Sequence, residues 1–345
     1  MKDFGDGFQD KLEPLAALDP DNIYSFDELV RAMSKTAFGG RRLGEAADVL
    51  ETMVRDPKCR VVCTLSGAMT VAKMGLLVCK MISAGMIQAV VSTGALICHG
   101  LVETAGKVHF KHRPDLDDAQ MYKVGYNRVY DSVELETNLD YTEEIMREVL
   151  GSYPDDKVLC SHKICRDVAE YMIDRDMGPG ILTVAAKHDV PVFIPAFTDS
   201  EIGICFQLHN DSRTEENKPP LQFNPFLDFE AYNRFLVDSE RLGIFTIGGG
   251  VPRNWAQQMG PYADVIQRRE RGVCYEPLRF RYGVRICPEP VHWGGLSGCT
   301  YSEGVSWGKF VPQEEGGRFA EVFADATIAW PLLMMAVIER LERRE

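Results

Sequence analysis

Val61-Val-Cys-Thr-Leu65-Ser66-Gly67-Ala68-Met69-Thr70 is a continuous apolar run that stops at small and hydroxyl residues, and residues 71–84 after it read as a buried helix. The pattern then repeats. Ile87-Gln-Ala-Val-Val-Ser92 stops at Thr93-Gly94-Ala95, and a second helix follows. Apolar strands alternating with helices imply a parallel sheet with both faces covered, because such strands have no polar side to turn to water. Val190-Pro-Val-Phe-Ile-Pro-Ala-Phe-Thr198-Asp199 and Gly243-Ile-Phe-Thr-Ile-Gly248-Gly249-Gly250 continue the series, the latter being the clearest strand and turn in the chain. Ala263-Asp-Val-Ile266 and Glu321-Val-Phe-Ala324-Asp325 bring the expected sheet to at least six strands. The predicted class is α/β, a single domain with a central, mostly parallel sheet between helices.

Outside this series the chain reads differently. Residues 1–57 are polar and helical in pattern: Ser25 is a plausible N-cap with Glu28 three residues on, and residues 43–53 carry apolar side chains at helical spacing. They form an expected helical arm, packed on the main domain or on a neighbouring subunit, with residues 58–345 as the main domain. Lys107-Val-His-Phe-Lys-His-Arg-Pro-Asp115 looks like a surface excursion, with His109 and His112 solvated. Residues 142–150 and 164–175 read as helices, 217–224 as a loop and 226–242 as largely helical. A helix over 327–340 ends the chain, and Pro252 sits near a helix start, where its missing N–H costs little.

The chain has 345 residues, enough for a large core, and its 51 acidic against 38 basic residues give a formal net charge of −13. That balance disfavours nucleic acid and favours cationic small molecules or basic partners. No run reaches membrane-spanning length and the start lacks a secretory pattern, so a cytoplasmic protein without membrane contact is expected. Cys63, Cys79, Cys98 and Cys205 lie in apolar stretches as reduced core residues. Cys160-x-His162-x-x-Cys165 lacks nearby partners for a four-ligand set, and no metal is expected.

Two features carry chemistry. Glu303-Gly-Val-Ser-Trp307-Gly-Lys309 puts a lysine among apolar and aromatic neighbours. Such surroundings lower an ammonium's pKa and free the amine to act as a nucleophile, as in Schiff-base lysines. An exposed lysine after a turn accounts for the same residues. The second feature is the set of strand ends, Ser66-Gly67-Ala68, Thr93-Gly94, Thr198-Asp199, Gly248-Gly249-Gly250 and Asp325-Ala326, where an open parallel sheet binds ligands. Small residues admit phosphate oxygens, and Asp199 or Asp325 could hold a ribose hydroxyl or an adenine amine. No G-x-G-x-x-G follows the first strand, and a glycine triplet alone does not decide for a nucleotide.

Gly248-Gly-Gly-Val251, then Glu303-x-Val-Ser-Trp-Gly-Lys309 and Phe323-Ala-Asp325-Ala326, together resemble deoxyhypusine synthase. The likeness continues upstream through Pro195-Ala-Phe-Thr-Asp199, Ser92-Thr-Gly94 and the Ser66-Gly67 turn, covering nearly all of the chain after about residue 40. It implies a homotetrameric, Rossmann-like enzyme with active sites between subunits, using NAD without net consumption. An aminobutyl group from spermidine would pass through a lysine imine to an acceptor amine, in that family a lysine of the translation factor 5A precursor. Carried over by position, Lys309 matches the imine-forming lysine, Trp307 the tryptophan packed on the polyamine and Glu303 an acidic residue near the substrate amines. Ser66, Gly67, Thr93, Asp199, Gly249, Ser297, Asp325 and Ala326 fall at or beside NAD-contacting positions, with Gly94 and Gly250 in the same turns.

The departures bear on substrate. An acidic residue after the Thr-Gly turn is replaced by Cys98-His99, and a second aspartate, five residues after Asp199, by Ile204. Asn254 stands for a proton-transferring histidine, Gln258 for an asparagine and Leu296 for an aspartate. A desolvated polyamine needs anionic partners, so losing them changes the expected substrate. His99 either replaces the missing general base or is a buried histidine satisfied by a backbone carbonyl. The expected activity is aminoalkyl transfer, to a diamine as in homospermidine synthases or to a protein lysine. An authentic deoxyhypusine synthase, an NAD-dependent amine oxidoreductase and a non-catalytic NAD-binding protein are the alternatives.

Overall fold

A computed structural model of the chain describes residues 4–269 and 278–343. Six strands form the central sheet: β1 (Cys59–Leu65), β2 (Ala89–Ser92), β3 (Val192–Phe193), β4 (Arg241–Ile247), β5 (Phe280–Ile286) and β6 (Arg318–Val322). Their spatial order is β6-β5-β4-β1-β2-β3, and every pair is parallel. Strand order therefore reverses between β1 and β4, the doubly wound arrangement, and a crevice opens beyond their carboxyl ends.

Alternation along the strands sorts side chains between two cores. Val61, Cys63 and Leu65 of β1, with Phe245 and Ile247 of β4, meet Leu50, Met53, Trp330 and Leu333 of the helices Phe38–Arg55 and Ala326–Glu342. Val62, Leu242 and Ile244 face the opposite way, onto Tyr232, Leu236 and Ala256. Thr64 and Thr246 share that second face, and their hydroxyls hydrogen-bond each other at 2.8 Å, so neither is left unsatisfied in the buried sheet. The expected α/β sheet with helices on both faces is present.

Helices Phe26–Ser34 and Phe38–Arg55 pack on the body of their own chain, while residues 4–22 are exposed. Ser25 is an N-cap, accepting from the Glu28 N–H at 3.1 Å, and the Glu28 carboxylate accepts the Tyr24 N–H in return. Among the described residues no helix is long and apolar enough to cross a membrane.

Two expectations need correction. Ala263-Asp-Val-Ile266 is helical, inside Met259–Arg269, where Met259 and Ala263 are buried one turn apart. The strand in its place is β5, whose Arg281, Gly283 and Arg285 interrupt the apolar run in sequence. Arg285 is nonetheless 1% exposed, its guanidinium donating to the carbonyls of Ser297 and Cys299. The other concerns His109, within residues 107–135, where a short strand or turn over 127–131 was expected and is present as Tyr126–Val129. The segment builds a small antiparallel sheet from Phe110–Lys111, Tyr126–Val129 and Ser132–Leu135, and His109 is buried against Glu134 instead of solvated.

Candidate active site

Helix Gly250–Ala256 follows β4, and its spacing places Arg253 and Asn254 one turn before Gln257 and Gln258. Helix Tyr301–Ser306 starts at the N-cap Thr300 and delivers Glu303 in its first turn; Trp307 and Lys309 follow it, with Gly308 between them at φ +69°. These two elements enclose a cavity of about 380 Å³ lined by Arg253, Asn254, Gln257, Gln258, Leu296, Cys299, Glu303, Trp307 and Lys309 among others. Five residues singled out from sequence, Lys309, Trp307, Glu303, Asn254 and Gln258, thus meet in one place. A larger cavity of about 550 Å³ lies on a different face of the Tyr301–Ser306 helix, against Arg42, Glu321 and Phe323, and holds none of them.

Lys309 is 9% exposed, and its Nζ donates to Asn254 Oδ1 at 2.9 Å. Burial lowers its pKa; Arg253 adds to the lowering while Cys299 and Glu303 oppose it. An amine in this state is a better nucleophile near neutral pH than a solvated lysine. Trp307 is 63% exposed and covers the cavity mouth from one side. Glu303 is the one carboxylate among the lining residues.

Sequence reasoning missed Arg253, Gln257 and Cys299. Arg253 is 3% exposed, donates to the Cys299 carbonyl at 2.7 Å, and leaves Nε and a terminal nitrogen without partners. The signal was available, because Arg253 and Gln257 share a helix face with Asn254 and Gln258.

At the crevice between β1 and β4, Ser66 Oγ accepts the Gly249 N–H at 2.9 Å. Gly67 and Gly248 have φ of +77° and +76°, which glycine adopts without strain. A Cβ on Gly249 would lie 2.6 Å from Ser297 Cα, so these sequence-distant residues pack backbone to backbone. Thr93 caps Gly94–Thr104 and Asp325 caps Ala326–Glu342, whose first-turn N–H groups open at the strand ends. Glycine turns beside two helix N-termini fit a dinucleotide's phosphates.

Other assignments acquire structural roles. Gly94 is packed against Ser200, whose Oγ would lie 2.2 Å from an added Cβ. Asp325 accepts from both Thr327 N and Oγ1 at 2.6 Å, and those bonds hold its carboxyl below the usual range. Asp199 is exposed before helix Glu201–Glu215, and Ala326 begins the last helix. His99 does not line the Lys309 cavity of its own chain; its Nδ1 lies 3.2 Å from Glu134.

The profile of the family described as Deoxyhypusine synthase matches residues 28–337. The chain belongs to the deoxyhypusine synthase family. A protein of Archaeoglobus fulgidus named "Probable deoxyhypusine synthase 2" is 34% identical over 310 residues, covering 89% of this chain and 96% of that one. A Methanosarcina acetivorans protein of the same name is 32% identical over 322 residues, covering 92% and 87%. Among solved structures, a proposed deoxyhypusine synthase from Entamoeba histolytica superimposes with a TM-score of 0.60 at 14% identity, over 94% of this chain and 97% of that one. At that identity the likeness concerns the fold, and it is the doubly wound fold described above.

Proposed function

We propose that this chain is an aminoalkyl transferase that carries the transferred group on Lys309 as an imine, with NAD bound at the strand ends. The observation that carries this reading is the buried, pKa-lowered Lys309 amine in a cavity shared with Trp307, Glu303, Asn254 and Gln258. Ser66, Gly67, Thr93, Gly249, Gly250, Ser297 and Asp325 are the residues we assign to the cofactor. When bound there, NAD would supply the hydride acceptor for oxidation of the donor carbon and the hydride donor for reduction of the product.

The donor is a polyamine such as spermidine. The Trp307 ring offers a π-face to its ammonium groups and Glu303 one negative charge. Lys309 Nζ adds to the oxidised donor carbon; the new Nζ–C bond replaces the bond to the departing amine, and the proton lost by Nζ leaves with that amine. An acceptor amine then repeats the exchange and restores Lys309. The acceptor is a small diamine, as in homospermidine formation, or a protein lysine, and discharge of the Lys309 intermediate onto each separates the two. The reading includes a homotetramer with shared active sites, which sedimentation equilibrium tests.

The deciding experiment incubates the purified chain with NAD and a panel of polyamines, traps imines with borohydride and measures intact mass. An aminobutyl-sized adduct mapping to Lys309, absent in Lys309→Ala while NAD still binds, is expected. NAD binding with no adduct from any amine overturns the reading.

A further inference from the structure

We propose that His99, His109 and Glu134 form a binding site for a first-row divalent transition ion of the zinc class. His99 stands on helix Gly94–Thr104, His109 immediately precedes strand Phe110–Lys111, and Glu134 lies in strand Ser132–Leu135. One ligand atom from each, on three separate elements, lies within 4.8 Å of the others. None of the three lines the Lys309 cavity of the same chain.

The side chains of His109 and Glu134 are each 1% exposed and that of His99 13% exposed. His109 Nε2 and His99 Nδ1 both converge on Glu134 Oε2, so one carboxylate oxygen and two ring nitrogens face a common point. A cation within the cluster would take the lone pairs of both ring nitrogens and the charge of the carboxylate. Asn138 Nδ2 donates to the other carboxylate oxygen, Oε1, at 2.6 Å, which fixes the group and leaves Oε2 to the site. Two imidazoles and one carboxylate are nitrogen-rich for calcium or magnesium and suited to zinc, cobalt or iron.

Lys73 supplies a control. Its Nζ lies 2.8 Å from His109 Nδ1 and 2.7 Å from Glu103 Oε1. For Nε2 to offer its lone pair, Nδ1 must hold the ring hydrogen, so the Lys73 ammonium has to leave it. The side chain is 48% exposed and can swing away. Ion binding then competes with protons and with Lys73, and affinity rises with pH. Once filled, the site ties residues 107–135 to the helix that follows β2.

The test takes the full chain, tag removed and stripped with chelator, and titrates it with Co2+ between pH 6 and 8. One equivalent per chain is expected, with visible d–d absorption that Zn2+ abolishes and a Tm that Zn2+ raises. His109→Ala and Glu134→Gln should lose the bands and the Tm rise. Lys73→Met, which removes the competing ammonium, should tighten binding severalfold at pH 8. His99→Gln, at the more exposed ligand, preserves the fold and should weaken binding at least tenfold. Failure of the unaltered chain to bind Co2+ stoichiometrically at pH 8, or bands that persist in His99→Gln and Glu134→Gln, overturns the proposal.

Discussion

Lys309 Nζ donates to Asn254 Oδ1 at 2.9 Å across the cavity, and this contact sets the direction of the amine. A neutral amide orients the lysine without supplying a countercharge, so the effect of burial on the pKa survives. Protonated Lys309 cannot attack, so the rate of adduct formation should climb with pH and level off above its lowered pKa. Asn254→Asp introduces a carboxylate that favours the ammonium and should move the profile to higher pH. Asn254→Ala should slow trapping about tenfold, roughly 1.4 kcal/mol, without moving it. Borohydride-trapping rates read by mass spectrometry across pH check both.

Gly249 is extended, so its glycine identity is a matter of space, not of backbone angle. Gly249→Ala would push a methyl group to within 2.6 Å of Ser297 Cα, and backbone cannot yield as a side-chain end does. The 295–299 segment must shift away from the strand ends, and NAD affinity should fall tenfold or more by calorimetry. Gly39→Ala, in helix Phe38–Arg55 with nothing within 4 Å of the added carbon, should leave NAD binding alone. It should stabilise the fold by about 0.5–1 kcal/mol.

The contrast between β5 and its neighbours shows what a single chain reveals. Val61–Leu65 and Gly243–Ile247 were legible because each buried strand is apolar throughout, whereas Arg285 hides a charge by giving its donors to Ser297 and Cys299 carbonyls over ten residues away. No periodicity encodes that partner. His109 misled for the same reason: flanked by Lys107 and Lys111, it turns inward to Glu134, which lies 25 positions later in the chain. Lys309 was legible because its neighbours Glu303 and Trp307 are local, while Asn254 and Gln258 entered only through the resemblance to deoxyhypusine synthase.

Trp307 is more than half exposed, so its replacement should be tolerated by the fold and felt by the substrate. A cation–π contact of about 0.5–2 kcal/mol corresponds to a roughly 2–30-fold rise in KM for Trp307→Ala, with kcat changed less. Trp307→Phe should recover part of it. Equal losses in kcat and kcat/KM would instead place the ring's contribution in the transition state. Steady-state kinetics on the donor amine found by trapping separates the two.

Asp27 and Arg340 pair at 2.6 Å with both side chains 1% exposed, joining the first long helix to the last. Burial pushes the Asp27 carboxyl up, but hydrogen bonds from Arg340 and Arg31 outweigh it and hold the group below its usual range. A carboxyl lowered on folding binds fewer protons in the native state. Its contribution is therefore full above the unfolded value of about 3.9 and is lost as pH falls through the folded one. Asp27→Ala leaves a buried guanidinium with Asp48 and Glu51 as its remaining partners. The expected cost is about 3 kcal/mol, the lower end for a broken buried pair, read by urea unfolding at fixed protein concentration. Replacing Asp27 and Arg340 together by leucine removes the stranded charge as well. The double variant should lose less than the two single losses added, and strict additivity would mean that the pair acts as two independent residues.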